Sequence, residues 1–336
     1  MRKGTNPAKL KNNSVENDCF HQVIVPVYLP KLEDYYEEGL EILKLCLKSI
    51  YLTVHDKTYI SVVNNGSCQE VIAYLDELLK HEKIHEVIHT TAIGKINAIN
   101  KGLAGHHFDL VTITDADVLF TNGWQKAVYE IYETFPKAGM VCTTPQSKRL
   151  RYLTETIFYD NLLSSKLKFR TVVDPKAMKN FAVSIGNKNF LNNIHLQKIL
   201  SIERNGIKAV VGAGHFSATY KPELLETLKT SFISDKISPK SDKMLVDIPS
   251  IKNGHWRLST FKNFTYHMGN TSRNWMKDKL LKNKKTSVQK PNILNFNKSY
   301  LISAKRYLIQ KIVFNKYIWR HWLMRFGLSE NEANLY

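Results

Sequence analysis

Short β-rich runs alternate with helical periods along the first 145 residues. Residues 22–27 (QVIVPV) read as a strand, apolar from Val23 onward. Tyr36, Leu40, Leu43, Leu47 and Ile50 then recur at spacings of four and three, which predicts an amphipathic helix. The same alternation continues with strand 59–63, a helix led by Ile72, Leu75 and Leu79, strand 87–89, helix 95–104, strand 109–114 (DLVTIT), helix 123–134 and strand 139–143 (GMVCT). Five β/α repeats of this kind predict an α/β fold with a mainly parallel sheet. From 148 to 205 the pattern turns more helical and irregular. A β-rich piece, 207–211, enters the glycine turn Gly212-Ala213-Gly214, followed by helix 222–228 and a polar stretch, 230–241, that reads as a loop. A short helix from Asp242 and strands near 256–260 and 263–267 complete a body ending near residue 270. Residues 1–18 form a polar leader. The body, 19–270, divides at 145/146, and 271–336 form a basic, aromatic, helical tail.

Composition changes this picture little, and charge changes it more. At 43% hydrophobic and 23% charged residues the 336-residue chain fits a soluble globular class and excludes disordered, collagenous and disulfide-rich classes. Lys and Arg number 48 against 30 Asp and Glu, a net charge of +18. Residues 273–325 hold 14 basic side chains and one acid, Asp278, so this stretch carries +13 and leaves +5 for the rest. Cys19, Cys46, Cys68 and Cys142 lack CxxC or zinc-finger spacing and read as free thiols in a reducing compartment. No run of about 18 apolar residues occurs. The expected location is therefore cytoplasmic, peripheral on the inner face of the cell membrane.

The sharpest chemical signal is Asp115-Ala116-Asp117, directly after the strand Leu110-Val111-Thr112-Ile113-Thr114. With 13 aspartates in the chain the triplet alone means little, but its position does. Carboxyl ends of parallel strands are where α/β sheets bind ligands. Two anions crowded there call for a compensating cation, such as a divalent metal bound to a diphosphate. The alternative is a turn with two solvated or capping aspartates.

Other segments fall in a matching order: Pro26-Val27-Tyr28, then Asn64-Asn65-Gly66-Ser67, then 94–103 (GKINAINKGL), then the Asp-Ala-Asp triplet. This series resembles the nucleotide-sugar half of glycosyltransferase family 2, inverting enzymes of the GT-A fold. The family pattern reads Pro-x-Tyr-Asn, Asp-(Asn/Asp)-Gly-Ser, Gly-x-x-x-Ala-x-Asn-x-Gly and Asp-x-Asp. This chain departs from it at Leu29 and at Asn64, which stands where the family has an acid. The resemblance implies that Pro26, Val27, Tyr28, Asn64, Asn65, Lys95, Asn100, Asp115, Ala116 and Asp117 contact the nucleotide sugar. Lys95 and the amides opening its helix would face phosphate or ribose. For residues 64–67 a plain β-turn stays open.

In the second half, Gly212, Ala213, Gly214 and His215 resemble the family's acceptor and sugar pocket. Asp242 resembles the catalytic base of its (Glu/Asp)-Asp-x-x-Leu motif, with Ser241 in place of the preceding acid; a helix N-cap is the simpler role for it. Asp247 and Asp235 are alternative bases. Trp256 is a candidate to stack on a sugar ring, or a buried structural residue. His267 occupies the position of a late histidine ligand, so Asp117 and His267, with Asp115 near the metal or the ribose, would hold Mn²⁺ by preference or Mg²⁺.

The expected activity is thus metal-dependent, inverting transfer of one sugar from a nucleotide diphosphate sugar, UDP before GDP, to a glycan or lipid-linked acceptor in surface polysaccharide or glycoconjugate synthesis. His255-Trp256-Arg257 is not the Gln-x-x-Arg-Trp of processive synthases. No glycine-rich loop follows the first strand, which disfavours nucleotidyltransferases and dehydrogenases. A retaining GT-A enzyme, or a nucleic-acid or membrane-surface binding protein without activity, is the runner-up; no nucleic-acid partner is expected. The tail is expected to hold an anionic membrane surface, with packing on the catalytic body or on a second copy as the alternative, so a homodimer stays open.

Overall fold

The computed structural model describes residues 18–229, 247–293, 296, 304 and 307–336. Its centre is a ten-stranded sheet in the order β3-β2-β1-β4-β10-β6-β11-β9-β8-β7. The first four neighbours are β1 (His21–Val27), β2 (Thr58–Asn65), β3 (Glu86–Thr90) and β4 (Leu110–Thr114). They run parallel to one another. Helices α1 (Gly39–Thr53), α2 (Gln69–Lys80) and α3 (Lys95–Leu103) connect them. β1 is buried along almost its whole length, which is why Val23–Val27 show no apolar/polar alternation. In α1 the predicted stripe holds for Leu43, Leu47 and Ile50, all buried. Tyr36 belongs instead to a separate 3₁₀ turn, Asp34–Tyr36.

After β4 the chain forms the three-residue strand β5 (Val118–Phe120), α4 (Trp124–Thr134) and β6 (Ala138–Cys142). The sequence pattern misses β5. It also misses β7 (Leu167–Thr171) and β8 (Lys198–Arg204), which pair antiparallel with each other and then with β9 (Ile207–Val211). Between them lie α6 (Pro175–Ser184) and α7 (Asn193–Gln197). β10 (Ser217–Tyr220) inserts antiparallel between β4 and β6, and β11 (Trp256–Thr260) runs parallel to β6. The expected parallel sheet is therefore the first half of a mixed one. β12 (Thr265–His267) leaves it to pair with β5 in a separate two-stranded ribbon.

The tail packs on the body. A π-type turn, Ile309–Val313, and the helix Lys316–Arg325 bury Ile309, Val313, Trp319 and Leu323. The ring of Phe158, on α5 (Glu155–Asn161), meets those of Phe314, Trp319 and Phe326 at 5.3 to 6.0 Å. The aromatics expected to reach a membrane thus include several that complete the core. A single helical wheel does not fit this region, because Asn315 ends one segment and caps the next through Tyr317 N. Lys298, Lys305 and Arg306 lie outside the described residues. Among the described residues no helix is long and apolar enough to cross a membrane, and all four cysteines are free thiols.

Candidate active site

The carboxyl ends of β1, β2 and β4 open into a cavity of about 480 Å³. It is lined by Pro26, Val27, Tyr28, Asn65, Lys95, Asp115, Ala116 and Asp117, so eight of the residues singled out from sequence converge there. Leu29, Tyr35, Tyr36, Ala92, Gly269 and Asn270 also line it, and sequence reasoning missed them. Tyr36 stands edge-on to both Tyr28 and Tyr35. Such rings offer a flat ligand an apolar wall with hydroxyls at its rim. Their only sequence signal is the aromatic pair following Tyr28 at short range.

Asn64 and Asn65 divide the work of their turn. Asn64 is buried; Ser67 N donates to its Oδ1 at 2.9 Å, and its amide group lies 2.9 Å from His89 Nδ1. It is therefore a structural residue of the turn, which is the β-turn alternative. Asn65 accepts from Ile93 N at 2.8 Å and reaches the cavity wall. Gly66 has φ +84°, and a Cβ there would lie 2.7 Å from Ala92 N, so the turn requires glycine. Asn100, on α3, is half-buried and away from the cavity lining.

The Asp-Ala-Asp triplet spans the gap between the main sheet and the β5/β12 ribbon. Asp115 N donates to Phe216 O at 2.9 Å, and Met268 N donates to Asp117 O at 2.8 Å. The ribbon register sets His267 opposite Val118, which brings His267 Nε2 to 3.3 Å from Asp117 Oδ2. About a third of the Asp117 side chain (32%) faces the cleft, yet Oδ1 is closed off from solvent. Among the described residues neither Asp117 Oδ1 nor His267 Nδ1 has a hydrogen-bond partner. Burial, with Asp115 adding to it, pushes the Asp117 carboxyl above its usual range against the pull of His267 and Lys95. Asp115 instead pairs with Lys95, so its charge is already met by a cation. Among the described residues no three His, Cys, Asp or Glu side chains converge as a metal site. Among the described residues the pair that could ligate an ion here is Asp117 and His267, with an orphaned carboxylate oxygen. That set fits a divalent ion completing its shell from an incoming diphosphate.

The second half carries the glycine turn. Gly212 has φ +108° and sits so close to the Arg149 backbone that a Cβ would lie 2.9 Å from it. Gly212, Ala213, Gly214 and His215 then lead to Phe216, whose ring stacks on Phe181 and meets the His267 ring at 5.9 Å. None of the four lines the tyrosine cavity. His215 is tied at both nitrogens, to Asp247 Oδ2 at 3.0 Å and to the Tyr220 hydroxyl at 3.1 Å. Asp247 Oδ1 lies 3.2 Å from Arg257, and both side chains are fully buried. Burial alone would raise the Asp247 carboxyl, but the His215 hydrogen bond and the Arg257 charge hold it below its usual range. As an alternative base Asp247 does not fit: it is sealed from solvent and already paired. Trp256 is also misplaced for a sugar contact. It lies opposite Ala138 at the far end of β6, donating to Asp160 at 2.8 Å. Asp242 and Asp235 lie outside the described residues.

Residues 23–181 match the model of glycosyl transferase family 2. No curated protein matches. Solved structures similar in part include a mannosyltransferase, PcManGT, from Pyrobaculum calidifontis in complex with GDP-Man and Mn²⁺. It is 18% identical, with 73% of this chain and 55% of that one covered and a TM-score of 0.39. Residues 1–349 of S. aureus TarS match at 14% identity over 74% and 60% of the two chains, with a TM-score of 0.42. The TarS complex with UDP-GlcNAc matches at 11% identity over 91% and 71%, with a TM-score of 0.40. The chain thus spans little more than half the length of the first two.

Proposed function

We propose, from the premise that residues 23–181 are a glycosyl transferase family 2 segment, that the protein transfers one sugar from a nucleotide diphosphate sugar to an acceptor hydroxyl. The observation that carries this is the Asp117–His267 pair, with its orphaned Oδ1, in which Asp117 also lines the tyrosine-walled cavity. An apolar, aromatic wall beside a cationic and metal-binding floor suits a nucleoside diphosphate: base against the rings, phosphates toward the charges.

In this reading Tyr28 and Tyr36 hold the base, and Asn65 with the Pro26-Val27 backbone meets its polar edge. Lys95 lies at the first turn of α3, where helix amides favour anions; it neutralises Asp115 before the donor arrives and turns to phosphate or ribose when it does. Asp117 and His267 would hold Mn²⁺ or Mg²⁺. Bound there, the ion supplies Lewis-acid neutralisation of the charge developing on the departing diphosphate. The Gly212–His215 stretch closes the acceptor side, with His215 kept in place by Asp247 and Tyr220. Asp242 is the proposed base, taking the acceptor's proton as its oxygen attacks from the face opposite the diphosphate, which inverts the anomeric carbon. UDP-sugars are the preferred donors, GDP-sugars the second choice, and the acceptor is a glycan or a lipid-linked sugar.

A thermal-shift series with UDP-, GDP-, CDP- and dTDP-sugars, each with and without Mn²⁺, tests the reading. A metal-dependent rise with one donor class is expected, and no rise with any would remove it. Asp242→Asn should abolish transfer while keeping the donor shift; unchanged turnover would take the base role from Asp242.

A further inference from the structure

Each of the two tail segments has an inner side used by the core and an outer side that is not. Ile309, Val313, Trp319, Leu323 and Phe326 turn inward. On the other side stand Tyr307, Leu308, Ile312, Tyr317 and Ile318, exposed by between 38% (Ile318) and 80% (Tyr317). Lys311, Lys316 and Arg325 are exposed among them. Residues 279–329 contain twelve Lys or Arg and no Asp or Glu, so no acid from this stretch offsets the face. Acids from outside the stretch meet Lys290 (Asp109) and Arg320 (Glu330), Glu155 accepts from Gln310, and Glu332 closes the capping box on Ser329; none of these pairs involves Lys311, Lys316 or Arg325.

We propose that this outer face docks the protein on an anionic lipid surface. Basic side chains alone would suit any polyanion. The aliphatic residues decide for lipid, because Leu308, Ile312 and Ile318 gain nothing from a row of phosphates but gain free energy on entering the boundary between headgroups and acyl chains. Tyr307 and Tyr317, with an apolar ring and a polar tip, suit the same depth. The lysines then lie over acidic headgroups, where each contributes to binding and is screened by salt. The anchor is therefore the face opposite Trp319 and Phe326, and it requires no rearrangement of the buried one. The inference goes beyond glycosyl transfer and uses none of the residues of the cavity, so either can fail alone.

The test uses the full chain and vesicles of phosphatidylcholine with or without phosphatidylglycerol. Sedimentation with the phosphatidylglycerol vesicles only, reversed by raised salt, is expected. Ile312→Ser/Ile318→Ser and Lys311→Glu/Lys316→Glu should each weaken it by about tenfold or more, with the melting temperature and any donor-induced shift unchanged. Equal binding to both vesicle types, binding to neither, or variants that bind like the parent would overturn the proposal. So would RNA binding or self-association that these variants abolish in the absence of vesicle binding, since the face would then belong to another partner.

Discussion

Two aspartates show how differently the fold treats the same side chain. Asp247 is enclosed with Arg257 and His215 and held below the usual carboxylate range; burial pushes Asp117 above it, and its Oδ1 has no hydrogen-bond partner among the described residues. The first is an architectural charge. Asp247→Asn leaves the Arg257 guanidinium buried without a counterion, which costs about 3–5 kcal/mol and should be read as a lower midpoint in urea. Adding Arg257→Met should recover much of that loss; no recovery would mean that the pair does more than balance charge. Asp117→Asn should do the reverse, leaving stability equal or slightly raised while erasing any Mn²⁺-dependent donor shift. A variant that still shows the metal-dependent shift would remove Asp117 from the ligand set. Much of this site was legible from strand-end position: Asp115, Asp117, Lys95 and Asn65 each follow a recognisable strand or open a helix. Tyr35, Tyr36, Gly269 and Asn270 were not legible, because a 3₁₀ turn and a loop remote in sequence have no periodicity to announce what they face.

At the scale of elements, short strands and the tail were the least readable. β5 has three residues, too few for any alternation, yet its pairing with β12 is what delivers His267 to Asp117. The strands β7 and β8 are held in an antiparallel sheet edge whose pattern is broken by the helices between them. For the tail, mixed aromatic and basic residues suggested one amphipathic surface, whereas the chain breaks at Asn315 and gives each segment an inner and an outer side. That division is measurable. Leu323→Ala removes a side chain buried on the inner side and should cost about 2–5 kcal/mol, whereas Tyr317→Ala on the outer side should stay within about 0.5 kcal/mol. Urea unfolding of both variants separates the cases, and equal losses would mean that the helix Lys316–Arg325 is not docked as described. Removal of everything after residue 272 is for the same reason a folding experiment rather than a binding one.

Across the whole molecule, chemistry gathers at opposite ends of the sheet. The carboxyl ends carry the cavity, while the amino ends of β1, β2 and β4 enclose a polar network. His21 contacts the Tyr129 hydroxyl at 2.6 Å and Thr112 Oγ1 at 2.7 Å, Tyr129 meets His55 Nε2 at 2.7 Å, and Thr112 continues to Thr219 on β10 at 2.7 Å. One network thus joins two parallel strands, the inserted antiparallel strand and α4. Burial holds both histidines below their ordinary value, His55 at about 4. The unfolded chain takes up these protons near pH 6.5, and the folded one resists until much lower pH. Between those values unfolding binds protons, so stability is complete above about pH 6.5 and falls as the solution is acidified toward 4. Asp247 acts in a different window, because its depressed carboxyl loses its contribution only below the unfolded value of about 3.9. Melting curves should therefore decline in two stages. His55→Gln should lower the melting temperature at pH 7.5 yet flatten the first stage, whereas Asp247→Asn should lower the whole curve, keep the slope of the first stage and flatten only the second. If His55→Gln leaves the slope between pH 6.5 and 4 unchanged, the protons taken up on unfolding go to other groups and the network is not what sets the acid limit of this fold.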